Sequence, residues 1–182
     1  MRTFNVLNFL QRAGALKETL RAGWVEAGID NVESVADHSY CCAILAMLFG
    51  DLKGLDTEKM IRMALLHDIH ESVLGDLTPT QKSKTLQSEM AQLKAIQEVL
   101  SSLPQNLKAE YSHLVKDYHD QTSPEARLVA QLDKLEMAVQ AVKYGNRGHR
   151  LRTLSPFLHT ANSEISDPDL QSIMSTLLDR AT

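Results

Sequence analysis

Long uncharged apolar runs are missing from this chain. No stretch reads as a membrane span, and the amino-terminal "MRTFNVLNFLQRAGALKETLRAGW" has no apolar core long enough for a secretory signal. Positive charge is not in excess either: 19 Lys and Arg stand against 23 Asp and Glu, a formal charge of −4, so no long-range field gathers polyanions and no nucleic acid polymer is expected as a partner. Cysteine is limited to the adjacent Cys41 and Cys42, whose α-carbons are too close for an ordinary disulfide and whose side chains diverge on a helix. That pattern excludes a disulfide framework and a spaced-cysteine zinc clasp, and it fits a reducing cytoplasm. Neither a G-x-S-x-G elbow nor a Walker loop is present, which removes two common routes to hydrolysis.

Glycine, proline and aromatics are sparse, at 8 residues, 5 residues and 5%, and the remaining composition leans helical. With 182 residues the chain has the length of one domain over 1–182. Such a length buries roughly 70% of its unfolded surface. Helical periodicity recurs at about 4–12, 35–50, 57–71, 83–101, 106–118, 124–144, 150–160 and 168–180, with no strand alternation. The spacing predicts an all-α bundle, its functional core over about 34–145 and helices over about 150–180 packed on it. Ser34 with Asp37 reads as a capping box, Asp56 sits within a Leu55–Met60 staple, and Ser123-Pro124 marks a third start.

One predicted core helix is richer in ionisable groups than burial alone allows. The stretch "MALLHDIHESVLGD" holds His67, Asp68, His70, Glu71 and Asp76. On an α-helical wheel with His67 at zero, Asp68 falls at about 100°, Glu71 at about 40° and His70 at about −60°. His67 and Asp68 then stand on or beside the buried side, and buried charge needs a partner. A divalent metal is such a partner for neutral imidazole and carboxylate. Two further candidates lie on other predicted helices: His38 shares a face with Cys41, Cys42 and Leu45, and Asp133 borders the stripe Leu128, Leu132, Leu135 and Val139.

The order His38, His67-Asp68, Asp133 resembles the HD-domain metal-dependent phosphohydrolases, an all-α superfamily in which a His, a His-Asp dyad and a distant Asp hold the metal. Within it, "RAGWVEAGIDNVESVADHSY", "RMALLHDIHESVLGDLTP" and "SPEARLVAQLDKLEM" are similar to the HD-containing 5′-deoxynucleotidases over about residues 8–145. The resemblance implies His38, His67, Asp68 and Asp133 as metal ligands and Glu71 and Asp76 as catalytic carboxylates. It also implies Arg21, Trp24 and Lys82 as substrate contacts, with a deoxynucleoside monophosphate as substrate. The cofactor it implies is one divalent ion of Co, Mn, Zn, Fe, Ni or Mg, and the assembly a homodimer.

Rival readings are a guanosine tetraphosphate hydrolase, a cyclic-nucleotide phosphodiesterase and a non-catalytic nucleotide-binding sensor. Ser72 after Glu71, where the tetraphosphate hydrolases carry an aspartate, speaks against the first. The phosphodiesterases add histidines for a second metal at positions that this chain does not match. A sensor would need neither Glu71 nor Asp76. His70, His149 and His159 are given no catalytic role, His113 and His119 read as solvated, and the methionines at 47, 60, 63, 137 and 174 read as core filler. Arg147, Arg150 and Arg152 read as an exposed turn.

Overall fold

The computed structural model describes residues 6–78 and 89–181. Helices α1 (Val6–Gly14), α2 (Ala22–Glu26), α3 (Val35–Lys53), α4 (Thr57–Leu66) and α5 (Glu71–Leu74) occupy the first part. Helices α6 (Glu89–Leu100), α7 (Gln105–Asp120), α8 (Pro124–Asn146), α9 (Leu151–Glu164) and α10 (Pro168–Ala181) follow. Among the described residues there is no strand, only an isolated bridge between Leu20 and Ser34. The all-α expectation holds.

The three expected helix starts are present, each with a side-chain cap. Ser34 and Asp37 form a reciprocal capping box on α3, Asp56 accepts from the Lys59 N–H at α4, and Ser123 accepts from the Ala126 N–H ahead of α8. At the centre of the bundle α3 packs on α4 and α8, and the buried Val35, Ala46, Met60, Met63, Leu132 and Leu135 fill the space between them. On its other side α8 carries α9 and α10, so Leu154, Leu158, Leu170 and Met174 extend the same hydrophobic cluster.

Three expectations need correction. By length and mean hydropathy, 1.2, α3 could cross a membrane, which contradicts the reading that no stretch approaches a span. Its buried side, however, includes His38, Ser39 and Cys42 and faces α4 and α8, as in the central helix of a bundle. Met47 is 43% exposed on α3 rather than core filler, whereas Met60, Met63 and Met174 are fully buried. The segment expected as one helix over 57–71 breaks after Leu66. There the backbone tightens to i→i−3 bonds, from Ile69 N to Leu66 O at 3.0 Å and from Glu71 N to Asp68 O at 2.9 Å. Such winding advances about 120° per residue instead of 100°, which brings Glu71 into line with Asp68 and His70 into line with His67.

A buried carboxylate joins three of these helices. Asp117, near the end of α7, accepts from the Ser123 N–H and hydroxyl at 3.0 and 2.7 Å, from the Thr122 hydroxyl at 2.5 Å, and pairs with Lys59 of α4 at 2.9 Å. Asp117→Ala should lower stability by about 3 kcal/mol, because the loss leaves several donors and one ammonium without their acceptor. Urea unfolding followed by circular dichroism measures this, with an expected fall in midpoint at unchanged slope.

Candidate active site

Three helices converge on one buried cluster. His38 comes from the buried face of α3, His67 caps the C-terminus of α4, and Asp133 lies on α8, where it and Glu136 point inward one turn apart. His38 is held at both nitrogens, with Nε2 at 3.0 Å from Asp133 Oδ1 and Nδ1 at 2.5 Å from Glu136 Oε2. His67 has its tautomer set by a bond from Nδ1 to the Ala64 carbonyl at 2.7 Å. Its Nε2 is therefore the lone-pair nitrogen, buried, with the Asp68 carboxylate 3.1 Å away. Ligand atoms of His38, Cys42, His67 and Asp133 all lie within 4.8 Å of one another.

That arrangement fits a divalent cation. A buried imidazole lone pair facing carboxylate oxygens is repulsive unless positive charge sits between them. Asp133 is fully buried, which works against its charge, but its bond with His38 and the neighbouring Lys134 hold it well below the usual carboxylate range. Tyr118 also donates to Asp133, at 3.2 Å. Burial pushes the Cys42 thiol up to about 12, so it stays protonated unless a cation lies beside it.

Asp68 belongs to an adjoining group. Its ligand oxygen lies within 4.8 Å of ligand atoms of His70 and Glu71, a result of the tightened winding after Leu66. It also lies 3.1 Å from His67 Nε2, so it borders both groups. Arg21 donates to Asp68 at 3.1 Å. Burial opposes the guanidinium charge, but Asp68, Asp76 and Asp133 outweigh it and raise Arg21 above its ordinary value. Gly75 takes φ 75° and ψ 162°, a conformation open in practice to glycine, and so turns the chain to place Asp76 Oδ2 2.7 Å from the Ala22 N–H.

These carboxylates line a cavity of about 400 Å³. Its lining includes the charged Arg21, Asp68, Glu71, Asp76 and Asp133 together with the apolar or aromatic Trp24, Leu77, Met137 and Phe157. Trp24 is buried with its indole N–H on Glu33 at 2.9 Å and its ring 4.0 Å from that of Phe157, tilted by 33°. Glu33 is itself raised to about 7 by burial and by Glu136, despite the bond from Trp24.

Of the residues singled out in the sequence, His38, His67 and Asp133 share one group, while Asp68 and Glu71 share the next. Arg21, Trp24 and Asp76 line the cavity, and Lys82 lies outside the described residues. The wheel-based placement of His70 away from the site is overturned, since it is buried beside Asp68 and Glu71. His119, exposed as expected, faces the cavity, its ring 6.0 Å from that of His70. Sequence reasoning missed Cys42, Glu136, Tyr118 and Phe157. Only Cys42 carried a local signal, four residues after His38 on the same helical face.

Residues 13–174 match the HD domain family. The chain is 32% identical over 173 residues to the 5′-deoxynucleotidase HDDC2 of Homo sapiens, covering 95% of this chain and 84% of that one. It is 34% identical over 178 residues to the 5′-deoxynucleotidase YGK1 of Saccharomyces cerevisiae, covering 96% and 82%. Among solved structures, a conserved hypothetical protein from Pyrococcus furiosus superimposes with a TM-score of 0.79 at 32% identity, covering 95% of this chain and 99% of that one. The chain therefore belongs to the HD domain family, and relatives similar to it along nearly its whole length are 5′-deoxynucleotidases.

Proposed function

We propose that this protein is a metal-dependent 5′-deoxynucleotidase that releases phosphate from deoxynucleoside 5′-monophosphates by direct attack of water. The observation that carries the reading is the buried imidazole and carboxylate cluster, whose Asp68 and Asp133 also line a cavity with both acidic and aromatic side chains. The curated relatives of that name support it.

His38, His67, Asp68 and Asp133 would hold the ion, which supplies Lewis acidity toward the phosphoryl group and its attacking water. Glu71, buried on the cavity wall, takes the proton from the water as its oxygen bonds to phosphorus. The phosphorus–O5′ bond breaks, and the leaving oxygen receives a proton to give the nucleoside. Asp76 is pinned by the Ala22 N–H and stands ready as the second proton-transfer group. Arg21 answers the phosphate charge once substrate competes with Asp68 for it. Lys82 is retained as a further phosphate contact. Trp24, backed by Phe157, forms the surface against which the sugar lies.

The whole chain acts as one unit in this reading, in the cytoplasm and as a homodimer. The absence of a disulfide between Cys41 and Cys42 and the negative formal charge are consistent with that setting and with a small-molecule substrate. The physiological ion is a divalent metal of the first row or magnesium.

Three sets of variants test the assignment. His67→Ala and Asp133→Ala should each lose bound metal and activity together, measured by elemental analysis and phosphate release; full occupancy with intact turnover would remove them from the ligand set. Glu71→Gln should retain the metal while kcat falls by about 10²–10⁴-fold, and parallel loss of metal would instead make Glu71 a ligand or its support. Trp24→Ala should narrow the preference for deoxy over ribo substrates in kcat/KM, by an amount equivalent to about 1–3 kcal/mol, since an apolar wall rejects an added hydroxyl only weakly. An unchanged ratio in a folded variant would leave Trp24 a core anchor.

A further inference from the structure

We infer that Cys42 is a direct sulfur ligand of the bound divalent ion, and that this sulfur biases the centre toward zinc, cobalt or ferrous iron over magnesium. The inference rests on the metal-dependent reading above.

His38 and Cys42 stand one turn apart on the same buried face of α3, and Cys42 is 1% exposed. Glu136 lies on His38 Nδ1, and Nε2 is the nitrogen that faces Asp133, itself a member of the proposed ligand set, at 3.0 Å. Cys42 Sγ lies 3.5 Å from that nitrogen and 3.8 Å from Nδ1. Two neighbouring donors on one ion, bound at about 2.0–2.3 Å, sit roughly 3–3.8 Å apart. The sulfur is thus already at a co-ligand's distance from His38 Nε2.

A second observation points independently to a ligand. His67 Nε2 is buried, has only the Asp68 carboxylate beside it, at 3.1 Å, among the described residues, and lies with Cys42 Sγ, His38 and an Asp133 oxygen in a group no more than 4.8 Å across. That nitrogen and the sulfur, from the end of α4 and from α3, lie within 4.8 Å of each other.

The donor chemistry then sets the preference. Magnesium takes oxygen ligands in near-octahedral geometry and keeps several waters, whereas imidazole and sulfur suit zinc, cobalt and iron. Coordination forms a metal–sulfur bond and releases the thiol proton to solvent. Cys41, exposed and next in sequence, is outside the group and serves as an internal control.

The test uses the full-length protein, stripped with chelator and reloaded with Co²⁺. Wild type and Cys41→Ser should both show a sulfur-to-cobalt charge-transfer band in the near ultraviolet, together with the weaker visible bands of bound cobalt. Cys42→Ser should lose the first and keep the second. In chelator competition it should bind Co²⁺ and Zn²⁺ at least about 10-fold more weakly, with little change for Mn²⁺. Visible cobalt bands without the charge-transfer band in wild type would overturn the sulfur ligand and leave the phosphohydrolase reading standing. Failure to take up cobalt at all would overturn both. If Cys42→Ser does not fold, the wild-type spectrum compared with Cys41→Ser still decides the question.

Discussion

The clamp on His38 organises the interior. One imidazole from α3 is gripped by two carboxylates one turn apart on α8, and all three residues are almost wholly removed from water. Removing such groups from solvent is costly unless each is answered by a partner, so the separation and rotation of α3 and α8 are tied to this bond geometry as well as to apolar contact. The third helix, α4, is brought in by ordinary packing of Met60 and Met63, and it ends where its last carbonyls can fix the His67 ring.

Much of the architecture was legible because it rests on local chemistry. Caps at Ser34, Asp56 and Ser123 depend on side chains that reach a backbone N–H three residues away, and the apolar stripes of α8 depend only on the helical period. The His-Asp dyad was readable as chemistry because acidic and imidazole groups are poor tenants of a core helix. The region beyond Leu66 was less transparent. A wheel of 100° per residue assumes α-helical winding, and nothing in "LLHDIHES" announces the change to i→i−3 bonding that moves His70 and Glu71 by roughly a quarter of a turn or less.

Partners that meet only through tertiary structure were silent in the same way. Glu136 looks like one more charged residue on a long helix until His38 arrives from about a hundred positions away, at a sequence separation of 98. Tyr118 and Phe157 similarly acquire meaning from Asp133 and Trp24, which lie on other helices. Arg21 was recognisable as a residue of the site, but its pairing with Asp68, 47 positions away, could not be read from the sequence.

The stacking of Trp24 on Phe157 has a consequence for how the cavity comes into being. The ribosome makes the aromatic half near the amino terminus first, and its lid belongs to α9, after every residue of the imidazole and carboxylate cluster has been synthesised. Chains emerge at about 5–20 residues per second. For about 1–4 seconds the nascent polypeptide therefore holds all of these polar groups before Phe157, the ring that packs on Trp24, is made. The aromatic part of the cavity is thus completed late in synthesis, after the last carboxylate of the cluster, Glu136, has been made.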